Sequence, residues 1–195
     1  VDEPGGGKMV ELEQKVKEPG AGSAVGWARD LLVAFIASML IIFCLYQPVR
    51  VEGTSMLPVL EDQDRLVINK IAYSWAGELV GEQIHRGDVV VFHYPNDQTK
   101  SYIKRVIALP GDTLRIDHGR VYVNGVALKE PYVPARYADE SSLPVSVMPS
   151  GKYFMMGDHR SVSQDSRYFG PVSRDLIYGR AAFVYWPFDQ AGVVR

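Results

Sequence analysis

From Leu31 to Tyr46 the chain runs sixteen residues without a charge, and only Ser38 and Cys44 interrupt the hydrocarbon. A helix that is apolar on every side requires a protein interior or a bilayer around it. Sixteen residues make ~24 Å of helix, short of a ~30 Å hydrocarbon core. Trp27 and Tyr46 stand at its two ends like interfacial anchors, and Arg29 has the reach to snorkel. Residues 27–47 then suffice for a transmembrane anchor helix, which Pro48 stops. A buried helix of a soluble core would need polar punctuation on some face. A cleaved leader would need a small-residue cleavage site, and no Ala-x-Ala follows. The anchor is therefore expected to be retained.

Residues 1–26 are polar, rich in Gly, Pro, Glu and Lys, and read as a disordered tail with at most a short helix over 9–16. Charge does not orient the anchor. Lys8, Lys15, Lys17 and Arg29 precede it among more acids, while Arg50, Arg65 and Lys70 follow it.

Beyond the anchor the hydrophobic period changes to two. Strands are expected at 65–70, 88–94, 102–108, 113–116, 120–123, 153–156 and 181–186. Val121 to Leu128 forms a hairpin about Asn124-Gly125, residues that accept the positive φ of a tight turn. The stretch 130–150, rich in Pro, Ser and Tyr, reads as a loop excursion. No helices alternate with the strands. The fold class is mainly β, an N-terminal transmembrane helix followed by a β-barrel-like or folded-sheet domain over 48–195.

Composition removes several functions. A net charge of −2 gives no footprint for nucleic acid. One cysteine permits no internal disulfide, and four scattered histidines with no HExxH spacing imply neither a metal site nor a cofactor.

Three stretches carry the chemistry. Gly53-Thr54-Ser55-Met56-Leu57-Pro58 sets a hydroxyl in an exposed turn just past the anchor. Tyr102-Ile103-Lys104-Arg105-Val106-Ile107 places Lys104 on one strand face with Tyr102 and Val106, and Arg105 on the other. A free lysine with a pKa of ~10.4 is almost wholly protonated at pH 7, whereas burial can lower that value by several units. A buried lysine can then act as base toward a serine hydroxyl. An edge-strand lysine that discourages aggregation is the plainer alternative. The third stretch, Gly157-Asp158-His159-Arg160 through Arg167, follows a strand, and its Asp and Arg residues can brace a loop by charge-assisted hydrogen bonds.

Together with Arg86-Gly87-Asp88-Val89-Val90-Val91-Phe92 and the continuation Ala108-Leu109-Pro110-Gly111-Asp112, these stretches resemble, in order, the sequence boxes of type I signal peptidases, the bacterial leader peptidases. The resemblance runs from the anchor to near Gly179. It implies a serine endopeptidase of the bacterial cytoplasmic membrane, single-pass, with its catalytic domain on the outer face. Its partners would be secretory preproteins and the lipid bilayer, with cleavage after small residues of the Ala-x-Ala type. By position, Ser55 matches the nucleophile, Lys104 the general base and Ser163 the serine that orients the lysine. Asp158, Asp165 and Arg167 match residues that hold the site together. Glu52, Gly53, Met56, Tyr102 and Ile103 match segments flanking an extended substrate, which would pair as an added strand.

Three departures stand out. Gly53 replaces a serine that some members use as a second oxyanion donor. Val59 follows the proline where Thr is usual, and His159 stands where Asn is usual. Rival readings are a Ser–Lys self-cleaving protein, an inactive anchored module that only binds preproteins, and a Ser–His triad built on His159 or His93.

Overall fold

The computed structural model describes residues 22–70, 73 and 81–194, in two units that divide between Ile41 and Ile42. Most of the tail, including the short helix expected at 9–16, lies outside the described residues.

Helix α1 (Gly22–Leu45) has 24 residues, about 36 Å at ~1.5 Å each. It starts five residues before Trp27, so residues 22–26, expected as tail, are helical. Its side chains from Leu31 to Phe43 are all exposed, and Ala24–Phe43 has a mean hydropathy of 1.8. The helix ends at Leu45 rather than at Gln47. Tyr46 and Gln47 instead open strand β1 (Tyr46–Arg50), which contains Pro48. β1 is the edge strand of its sheet, where a proline removes no ladder hydrogen bond.

The second unit holds two antiparallel sheets. The strands are β2 (Arg65–Asn69), β3 (Val89–Tyr94), β4 (Asp97–Ala108), β5 (Thr113–Asp117), β6 (Arg120–Val123), β7 (Val126–Ala127), β8 (Leu143–Val147), β9 (Lys152–Met156), β10 (Val172–Ser173), β11 (Ile177–Trp186) and β12 (Gly192–Val193). The larger sheet has the order β1-β2-β11-β3-β4-β9-β10, with β12 on β11, and the smaller has β7-β6-β5-β8. The domain is thus mainly β, as the period-two pattern predicts.

Side chains on β3 alternate between two cores. Val89 and Val91 join Val51, Met56, Leu60, Leu66 and Ile68, while Val90 and Phe92 join Val106, Met155 and Ile177. A strand covered on both faces reads as an unbroken β-branched run, which is why Val89 to Phe92 shows no alternation. A third core joins the sheets, with Ile107, Phe154 and Met156 against Leu114, Ile116 and Val121.

The strands depart from the sequence reading in several places: β11 begins at Ile177 rather than 181, and β1, β10 and β12 are additional. β4 begins at Asp97, five residues early, because an exposed polar arm, Asp97 to Ser101, pairs with the end of β3. The 130–150 excursion contains β8, which pairs with β5. Pro144 disguises it, and it too is an edge strand.

Candidate active site

Ser55 lies in the turn between β1 and β2. Beneath the turn, Val51, Met56 and Leu60 are buried in the first core. Val51 N–H donates to Asp64 O (2.8 Å) and Gln63 N–H to Val51 O (2.9 Å), closing the loop at its base. Gly53 takes φ = +89°, which a side chain would strain, and its N–H donates to Asp62 Oδ1 at 2.8 Å. Ser55 is thereby lifted to the rim of a groove while its neighbour Met56, 1% exposed, pins the turn from below. Met56 is packed into the core rather than among the groove's lining residues.

Lys104 comes from β4, forty-nine residues later, and its Nζ is 2.7 Å from Ser55 Oγ. A second bond, 2.9 Å to Ile103 O, fixes the amine. The residue is 4% exposed, and Nζ lies 5.5 Å from the centroid of the Tyr102 ring. Burial pushes its pKa down to about 8, against the opposing pull of the Asp165 and Asp158 carboxylates. At pH 7 about one lysine in eleven is then neutral, against about one in 3,000 at the ordinary 10.5. Neither His159 nor His93 takes this position: His159 Nδ1 is 3.1 Å from Thr54 O, and the His93 ring packs against Tyr178.

Arg105, the other cation of the pair, is also buried. Nε and Nη2 form a fork with Asp158, at 2.8 and 2.7 Å, and Nη1 donates to Gly87 O at 2.8 Å. Strand parity places Arg105 on the face opposite Lys104 and gives it no role by itself. The signal lies in two adjacent cations on a strand that also carries Ile107 and Ala108, and in Asp158, a scaffold aspartate whose cationic partner the motif does not name.

The 157–167 loop sits against both partners. Asp165 caps the short helix α2 (Ser166–Phe169), accepts from Gly157 N–H (3.1 Å), and receives Arg167 through Nε and Nη2, each at 2.8 Å. Gly157 has no room for a side chain, since a Cβ there would overlap Ser163 Oγ and Ser55 O. Ser163 is buried beside them, and its Oγ makes no hydrogen bond in this structure, to Lys104 or to any other described group. The amine is held by Ile103 O instead.

A groove of about 450 Å³ passes the pair. Val49 to Ser55 forms one wall, Ser101 to Lys104 the other, and Val162 and Gln164 reach in from the 157–167 loop. Glu52, Gly53, Tyr102 and Ile103 are among its lining residues. A hydroxyl against a partly neutral buried amine, beside an open groove, can carry out acyl transfer.

Comparison with known proteins gives the family. A family model described as "Signal peptidase, peptidase S26" matches residues 24–186. The chain is 35% identical over 194 residues to "Signal peptidase I T" of Bacillus subtilis, covering 94% of this chain and 95% of that one. It is 34% identical over 180 residues to "Signal peptidase IB" of Staphylococcus aureus, covering 84% of this chain and 90% of that one. A crystal structure of a signal peptidase I from Enterococcus faecalis V583, 32% identical, aligns with 51% of this chain and 97% of its own at a TM-score of 0.46.

Proposed function

Because the chain belongs to the signal peptidase I family of serine endopeptidases, we propose that it removes signal peptides from secretory preproteins by a Ser55–Lys104 dyad while anchored in a bacterial cytoplasmic membrane. The observation that carries the dyad is the 2.7 Å contact between Ser55 Oγ and a buried amine whose pKa is lowered to about 8.

The chemistry follows from that contact. Neutral Lys104 takes the Ser55 proton as Oγ attacks the carbonyl carbon of the scissile bond. The oxyanion that forms is stabilised by the Ser55 backbone N–H. Gly53 adds no donor, since it has no side chain and its N–H is held by Asp62. As the tetrahedral species collapses, Lys104 returns the proton to the leaving amine. Water, losing a proton to Lys104 in turn, then opens the acyl-enzyme and frees Ser55. The two walls offer extended backbone to a peptide lying as an added strand, with small residues before the cut.

The anchor gives the substrate its location. An exposed apolar helix about 36 Å long matches a ~30 Å hydrocarbon core with some tilt. Ser55 follows Leu45 by ten residues, which can extend at most about 35 Å. A signal peptide whose own apolar segment lies in the same bilayer would present its cleavage site within that reach, on the outer face.

The test offers a preprotein with an Ala-x-Ala site to the full chain in detergent, beside Ser55→Ala and Lys104→Ala. Cleavage after the second alanine by wild type, and loss of about 10³-fold or more in both variants, is expected. Wild-type rates in Lys104→Ala would refute the dyad. Absence of cleavage by wild type would favour a module that only binds preproteins.

A further inference from the structure

The 130–141 segment grips the 157–167 loop at several points. Glu130 pairs with Arg160, and Asp139 accepts from Arg167 Nη1 at 2.6 Å, while outside the loop the Tyr132 ring centroid lies 4.0 Å from Arg105 Cζ of β4. Ser161 N–H donates to Tyr137 O at 3.3 Å. The contact between Tyr137 and His159 differs from these. Their rings stand 4.4 Å apart between centroids, and His159 passes the contact on to the nucleophile's turn.

His159 touches that turn twice. Its backbone N–H donates to Ser55 O at 3.1 Å, and its Nδ1 is 3.1 Å from Thr54 O. A carbonyl only accepts, so the second contact requires the tautomer with a proton on Nδ1. Thr54 C=O and Ser55 N–H belong to one peptide unit, which is planar. The oxygen also accepts from Leu57 N–H at 3.3 Å within the turn, and the shorter contact from His159 adds the hold from outside it that aims the N–H at the other end. A hydrogen bond accepted by the carbonyl also polarises the unit, making its N–H a stronger donor.

We infer that His159, with its ring seated on Tyr137, is a positioning residue that orients the Ser55 N–H toward the oxyanion. The inference rests on the reading of Ser55 as nucleophile. It also assigns a task to the 130–141 segment, which reaches the catalytic turn through this pair of rings. The bond acts on charge that develops in the transition state, so its loss appears in kcat rather than KM.

The experiment measures kcat and KM for preprotein cleavage by the full chain in detergent, with Ser55→Ala alongside. His159→Leu keeps bulk but removes the donor, and about a tenfold loss in kcat with KM within twofold is expected. His159→Asn restores an N–H near the place of Nδ1–H and is expected within about threefold of wild type. Tyr137→Phe keeps the ring contact and should match wild type, while Tyr137→Ala should lose about threefold or more in kcat. The tyrosine pair keeps the test valid if His159→Leu does not fold. A His159→Leu protein with wild-type kcat overturns the inference, as does an effect confined to KM. Abolition of cleavage by Leu and Asn alike also overturns it and makes His159 a base. If wild type fails to cleave, or Ser55→Ala cleaves, the functional reading falls first and the inference with it.

Discussion

Replacing Lys104 by Met should inactivate the enzyme and stabilise its fold. Lys104 is 4% exposed, and burial lowers its pKa from 10.5 to about 8. The depression means that the folded state resists protonation. Below pH 8 both folded and unfolded chains carry the proton, and the folded state bears the full penalty. Between about 8 and 10.5 the unfolded chain binds more protons, so stability rises with pH; above 10.5 the penalty is gone. A shift of this size corresponds to about 3 kcal/mol at pH 7 and about 1 kcal/mol at pH 9.5. Met fills a similar volume without a charge. Against this stands the loss of two hydrogen bonds, to Ser55 Oγ and Ile103 O, at about 1 kcal/mol together, since both acceptors border the groove and can turn to water. The variant should therefore be about 2 kcal/mol more stable than wild type at pH 7, and the two should be nearly equal at pH 9.5. Equilibrium unfolding in guanidinium, on both proteins in the same detergent and at both pH values, reads this difference. A variant less stable than wild type at pH 7, or a difference that does not change with pH, would refute the argument that the amine is held at an electrostatic cost.

Two further outcomes follow from the same geometry. In single-turnover assays the cleavage rate should climb about tenfold per pH unit below the Lys104 pKa of about 8 and level off above it, because only the neutral amine accepts the Ser55 proton; a flat profile between pH 6 and 8 would exclude this base. Gly157→Ala should lower kcat about 10²-fold, since the new methyl displaces the Ser55 carbonyl and Ser163 Oγ, and a thermal melt should show a loss of about 1–3 kcal/mol.

The sequence reading worked where a local rule sufficed. Val89 to Phe92 had to be a covered strand, and Asn124-Gly125 had to turn, because pleat and φ are properties of neighbouring residues. It failed where pairing decided. Leu143 to Val147 looked like loop, and Pro48 looked like a helix stop. Both prolines are accommodated because their strands sit at sheet edges, a fact of strand order and not of composition. Arg105 shows the same limit. Strand parity places it opposite Lys104, yet nothing within its strand reveals that Asp158, fifty-three residues on, would meet it in a bidentate pair.

For the site, the residue types were legible and the contacts were not. The family's boxes single out Ser55, Lys104 and Ser163 by position. Only the folded chain sets Lys104 Nζ against Ser55 Oγ, leaves Ser163 Oγ without a partner among the described residues, and moves Met56 from the groove into the core. A sequence by itself determines hydrophobic period, turn chemistry and the presence of an uncharged run, since each depends on residues a few positions apart. The depressed pKa of Lys104 and the hold on the Ser55 turn depend on which groups β4, the 157–167 loop and the 130–141 segment bring within a few ångströms. Desolvation and hydrogen bonding act over such distances, and only the tertiary fold sets them.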